Sequence, residues 1–123
     1  MFKKSPLAPA RFPALAPVAG VRVSGIAAGL KESGRPDLFL AEFAKGSTVA
    51  GVFTKSKCSS APVDWCRSIL KNGRIRGLVV NSGNANAFTG RAGDRTVEYT
   101  AAAAAKRFGC RRNEVYVAST GVI

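Results

Sequence analysis

The stretch Val79–Gly90, VVNSGNANAFTG, decides how the rest of this chain is read. Two β-branched residues announce a buried strand. The chain then passes through three asparagines and two glycines within twelve residues. Loops at the end of a strand are where backbone N–H groups and small side chains meet a ligand. The same composition also suits a plain turn, because Asn and Gly tolerate positive φ. A phosphate cradle is a third option, but the stretch has neither the GxGxxG spacing nor a Walker Lys-Ser/Thr pair.

Working outward, Leu78–Asn81 reads as a short strand and Glu114–Ala118, EVYVA, as the last one, opening into STGVI. Between them Val97, Ala101, Ala104 and Phe108 recur on one helical face, with Asp94 as the expected N-cap, Glu98 in the first turn and Gly109 as the stop. If this helix is a crossover, the two strands are parallel and both end at one edge of the sheet. NSGNANA and Ser119–Gly121 then meet outside the strand ends, where α/β sheets place ligands. A hydroxyl and a Gly N–H at a strand end suit an oxyanion, though such residues also end strands for ordinary reasons.

Toward the N-terminus, Gly20–Leu30 alternates as a strand, and so do Asp37–Ala44 (DLFLAEFA) and Thr48–Thr54 (TVAGVFT). These three predict an antiparallel meander. A helix follows, with Pro62 in its first turn, Ser60 as cap and Gly73 as stop; Val63, Cys66 and Leu70 share one face, and Trp65 and Ile69 an adjacent stripe. The predicted order is β-β-β-α-β-α-β, an α/β fold. Prolines 6, 9, 13 and 17 make residues 1–19 an extended arm rather than a signal peptide, leaving 20–123 as one domain.

Nineteen Lys and Arg against seven carboxylates give a formal charge of +12. Nucleic acid, acidic ligands and an acidic partner chain all fit such a balance. The clusters RSILKNGRIR and KRFGCRR have few interleaved aromatics, so a solvated face or a seam against an acidic chain is favoured over nucleic acid. There is no histidine, which removes Ser-His-Asp triads and HExxH sites. Cys58, Cys66 and Cys110 lack CxxC spacing, the carboxylates are scattered, and no metal site is expected. No run of apolar residues reaches the length of a membrane span.

GVRVSGIAAGL, GRPDLFLAEF, AGVFTKSKCSSAPVDWC, GLVVNSGNANAFTG and VYVASTGVI together resemble the ornithine acetyltransferase (glutamate N-acetyltransferase) family, in family order. The resemblance runs from about Gly20 to the end. It implies the N-terminal part of a fold with mixed sheets and packed helices, incomplete at its C-terminus, from a precursor that cleaves itself. A threonine exposed by that cleavage, in a second chain, takes acetyl from N-acetylornithine and passes it to glutamate. By the same resemblance, Thr120 and Gly121 form the oxyanion hole. Asn81, Asn84 and Asn86 are then expected to support it, and substrate contacts to lie downstream. A cytoplasmic place in arginine biosynthesis and a hetero-oligomer (a heterotetramer) of the two chains are also implied. No cofactor is expected; acetyl-CoA is a substrate only in a bifunctional member. Without the nucleophile the chain by itself is expected to be inactive. The alternatives are a small basic nucleic-acid-binding module, or an inert fragment.

Overall fold

Four strands make one mixed sheet in the order β1 (Val21–Ile26), β2 (Leu38–Phe43), β3 (Gly77–Asn84), β4 (Val115–Val122). The computed structural model describes residues 5–123, so the Met1–Lys4 start of the expected arm lies outside the described residues. Ser5–Ala19 carries neither strand nor helix and is exposed along nearly all its length. β1 with β2 and β2 with β3 are antiparallel, whereas β3 and β4 are parallel over eight residue pairs, Gly77↔Val115 to Asn84↔Val122. Helix α2 (Gly90–Phe108) is the crossover that a parallel pair requires. Helix α1 (Ala61–Ile69) continues as a 3-10 turn, Leu70–Asn72, and stops at Gly73; α2 stops at Gly109.

Strand alternation divides the core in two. On one face Val79, Val115 and Val117 meet Val97, Ala101, Ala104 and Ala105 of α2. The alanines let the helix axis approach the sheet, and each buried valine contributes about 1.5–3 kcal/mol. On the other face Tyr116 packs with Cys66, Ile69 and Ile75, and with Phe43, Val49 and Phe53 at the margin.

The mixed α/β architecture matches the expectation, but several details differ, among them β1, which ends at Ile26 rather than Leu30. Thr48–Thr54 is no strand: β2 pairs with β1 on one side and β3 on the other, so neither edge of β2 is left for it, and it makes only a single bridge, Thr48↔Arg74. The meander therefore runs β1–β2–β3. Helix α2 starts a turn early, because the Gly93 N–H reaches the Thr89 carbonyl at 3.4 Å; Asp94 is not the N-cap and Glu98 lies beyond the first turn. Ser60 occupies the N-cap of α1 without a side-chain bond, and Ser59 instead donates to Asp64 at 2.6 Å. Both parallel strands also outrun their expected ends at Asn81 and Ala118. The ladder carries weak strand formers such as Ser, Gly and Asn along with it.

Tyr116 is buried, 7% exposed, and its hydroxyl has no hydrogen-bond partner among the described residues. A buried orphan hydroxyl costs more than a methine of the same shape. Tyr116→Phe should therefore leave stability unchanged or raise it by up to about 1 kcal/mol in urea unfolding. A clear loss would mean that the hydroxyl has a partner after all.

Candidate functional site

The parallel register sets NSGN of β3 beside STGV of β4: Asn81↔Ser119, Ser82↔Thr120, Gly83↔Gly121, Asn84↔Val122. The two sequence segments singled out above thus meet at one sheet end. Gly83 and Gly121 lie opposite each other with φ of 136° and 137°. A Cβ on Gly121 would sit 2.4 Å from the Gly83 carbonyl carbon, and one on Gly83 would sit 2.9 Å from the Leu30 oxygen. Only glycines allow these three stretches of backbone to stack so closely.

A chain of amides links this end of the sheet to α2. The Ser119 hydroxyl donates to Asn81 Oδ1, and Asn81 Nδ2 donates to the Asn84 carbonyl at 2.9 Å. Asn84 Oδ1 accepts the Asn86 N–H at 2.6 Å. Asn86 is buried in the left-handed region, φ 50°. Its Nδ2 donates to the Gly93 carbonyl at 3.1 Å, and its Oδ1 accepts from the Thr89 hydroxyl at 2.6 Å. Gly93 must lack a side chain here, since a Cβ would fall 2.4 Å from Asn86 Oδ1.

The outer edge of β4 is covered over only half its length. Trp65 Nε1 of α1 donates to the Val115 carbonyl at 3.0 Å. The Cys66 thiol donates to the Val117 carbonyl at 3.2 Å and accepts the Val117 N–H at 3.4 Å, so one side chain replaces a neighbouring strand. Burial pushes this thiol's pKa up, with the bond at Val117 acting the other way. The carbonyls of Glu114 and Val122, by contrast, accept from Arg76 and Ala85 on the β3 side. Odd-numbered residues of β4 therefore direct their backbone groups outward, and Gly121 is odd. Its N–H faces the open edge, at an exposed residue.

Thr120 is exposed, and its hydroxyl has no partner among the described hydrogen bonds. Alternation places it with Tyr116 and Ala118, on the face opposite Ser119 and Asn81. The amide chain thus reaches Thr120 and Gly121 through the backbone ladder, not by side-chain contact. On the Ser119 face, an open apolar cleft of about 770 Å³ runs between α2 and Leu30, Leu38 and Leu40.

Asp37, expected as the first residue of the second strand, is a hub of this end. It is 3% exposed; its carboxylate accepts the N–H groups of Ala28 at 2.6 Å and Lys31 at 2.9 Å, and its carbonyl accepts from Ser82 at 2.7 Å. The Ala28 bond above all, with that of Lys31, holds its pKa below the usual carboxylate range, against the burial that works to raise it. Asp37 thereby fixes the 28–31 loop against Gly83. A lone acid between Pro36 and a strand was the only sequence signal for it.

Part of each basic cluster lies elsewhere. Lys45, Arg74, Arg76 and Arg111 border a polar recess at the other end of the sheet. Arg76 turns inward there, donating to the Phe43 carbonyl at 2.8 Å and lying 3.7 Å from Glu42. Among the described residues no group of three His, Cys, Asp or Glu is placed to hold a metal ion. No described helix is long and apolar enough to cross a membrane.

The ArgJ family pattern matches residues 22–123. Over 119 residues the chain is 56% identical to the arginine biosynthesis bifunctional protein ArgJ of Bradyrhizobium diazoefficiens, covering 97% of this chain and 29% of that protein. The Nitrobacter winogradskyi protein of the same name is 54% identical over 123 residues, 30% of its length. The chain thus spans about three-tenths of these relatives. The ornithine acetyltransferase of Mycobacterium tuberculosis, solved with ornithine, superposes with a TM-score of 0.79 at 44% identity, over 85% of this chain and 57% of that one. The ArgJ structure from Bacillus halodurans gives 0.80 at 33% identity, over 85% and 55%.

Two outcomes are expected. Asn86→Ala removes the two side-chain bonds that tie the 86 loop to Gly93 and Thr89 at the start of α2, and should cost about 1–3 kcal/mol in urea unfolding. Asp37 has a lowered folded pKa, so its contribution is full above the ordinary carboxylate range and fades as pH falls through the folded value. Asp37→Asn should be less stable than wild type at neutral pH, with the gap closing in acid below about pH 4. A gap that stays constant on titration would show that the charge is not what matters.

Proposed function

Because the chain belongs to the ArgJ family, we propose that it is the N-terminal part of an ornithine acetyltransferase acting in arginine biosynthesis. Its own contribution is the oxyanion hole, formed by the Thr120 hydroxyl and the Gly121 N–H. The single observation that carries this reading is the open half of the β4 edge. α1 seals Val115 and Val117, and the ladder alternation then presents the Gly121 N–H to solvent beside a threonine hydroxyl that has no partner among the described residues. Donors already fixed in place stabilise a developing oxyanion without reorganisation.

In the reaction, a threonine hydroxyl supplied by a second chain of the same precursor attacks the acetyl carbonyl of N-acetylornithine. The carbonyl oxygen gains negative charge and is met by Thr120 and Gly121. The C–N bond breaks, ornithine leaves with the proton, and the acetyl rests as a threonine ester. The α-amine of glutamate then attacks the ester through the same oxyanion geometry, releasing N-acetylglutamate and the free hydroxyl. No cofactor is needed; acetyl-CoA enters only if this member also acetylates glutamate directly. The Asn81–Asn84–Asn86 chain supports the hole by fixing where β3 and β4 end.

The comparisons support a partner chain. Three-tenths of the Bradyrhizobium relative is matched by nearly all of this chain, yet 85% of this chain already makes up 57% of the Mycobacterium one. The crystallised chain is therefore much shorter than the curated relative, as expected of a protein that works in two pieces. The same reading places the assembly in the cytoplasm as a hetero-oligomer of the two chains. The 123 residues by themselves are then inert.

The test is acetyl transfer from N-acetylornithine to glutamate by protein purified untagged from its own source, with intact-mass analysis of every co-purifying chain. A second chain beginning with threonine is expected. Thr120→Ala should lower kcat by about 10²–10³, equivalent to about 2.7–4 kcal/mol, with no loss of fold because the side chain is exposed. An unchanged rate in that variant would remove Thr120 from the oxyanion hole.

A further inference from the structure

The segment between β2 and α1 is shaped as a strand that lacks a neighbour. From Val49 to Ser56 the chain runs without a turn or bend. One end is pinned by the Thr48↔Arg74 bridge and by the Val49 N–H on the Gly73 carbonyl at 3.0 Å. At the other end Arg67 donates to the Thr54 carbonyl at 3.0 Å and lies over the Phe53 ring at 5.7 Å. Val49 and Phe53 pack at the margin of the core, while Val52 is 97% exposed. Between the pins, none of the backbone N–H or C=O groups of Ala50, Gly51, Val52 and Phe53 has a hydrogen-bond partner among the described residues.

An ordinary solvated loop would be neither straight nor tied at both ends, and would not carry TVAGVFT, a run rich in strand formers. Its ordering cost is already met by the pins, so an added strand gains main-chain bonds with little further loss of entropy. We propose that Ala50–Phe53 is a strand-addition edge, and that its occupant is an extended segment from the part of the ArgJ protein that this chain does not span. This rests on the reading that the chain is one part of such a protein. The relatives have ample length for it, since the aligned residues are only 29–30% of theirs. Charge narrows the occupant: Lys45–Ser60 holds three lysines and no carboxylate, so the added strand carries Asp or Glu at its flanks. A second copy of this chain would set lysines against lysines and is disfavoured. Main-chain bonds supply the affinity, and the exposed Val52 side chain gives the occupant something to recognise.

Hydrogen exchange read by mass spectrometry, on protein purified untagged from its own source, tests this. Alternate amides of Ala50–Phe53, those that face the added strand, are expected to exchange at least about a hundredfold more slowly than the same sequence in a free peptide. Exchange at the free-peptide rate would overturn the proposal. Slowed exchange that vanishes on dilution, in a sample whose mass is two copies of this chain, would overturn it as well. The acetyl-transfer assay on the same sample separates the two readings. Transfer together with free-rate exchange sinks only the strand addition. Slowed exchange with a second chain bound but no transfer leaves the strand addition standing and sinks the functional reading.

Discussion

The eight-residue parallel ladder between β3 and β4 is the constraint from which the rest follows. Parallel strands cannot be joined by a tight turn, so the chain between them must cross over, and α2 is that crossover. Its alanine face lets it lie close on Val79, Val115 and Val117. The ladder also decides the site, because two strands that run the same way must end at the same place. Had the pair been antiparallel, NSGN and STGV would lie at opposite ends of the sheet.

The outer edge of β4 is the second determinant. An unpaired edge invites another chain, and proteins cover it or leave it for use. Here both happen within one strand. Trp65 and Cys66 close the half that carries Val115 and Val117, while Ser119 and Gly121 remain open. The Cys66 thiol serves both as donor and as acceptor, which an alanine or valine at this position would not do. Cysteine spacing argued against a metal site without suggesting this role.

Much of the fold was legible where one signal acted alone. The helical face of Val97, Ala101 and Ala104, the stop at Gly109 and the convergence of the two motifs all came from local pattern. Elsewhere a distant element overrode it. Thr48–Thr54 has strand composition, but β2 had already spent both edges, so the segment is straight without being paired. Asp94 looks like a cap, yet Asn86 and Thr89 organise the helix start a turn earlier. The role of Asp37 was not legible because its partners are backbone N–H groups, which sequence does not distinguish. The opposite faces of Ser119 and Thr120 follow from strand alternation, once β4 is known to continue past Ala118.

The contacts of α1 also set a timetable. Trp65 and Cys66 bind β4 across 50 and 51 residues of sequence. On the ribosome, at roughly 5–20 residues per second, the apolar side of α1 waits about 3–10 s for its partner strand to be made. Through that interval Trp65 and Cys66 lack the β4 carbonyls that they bind in the finished fold. The helix that protects the finished sheet is thus left without its partner strand until β4 has been made.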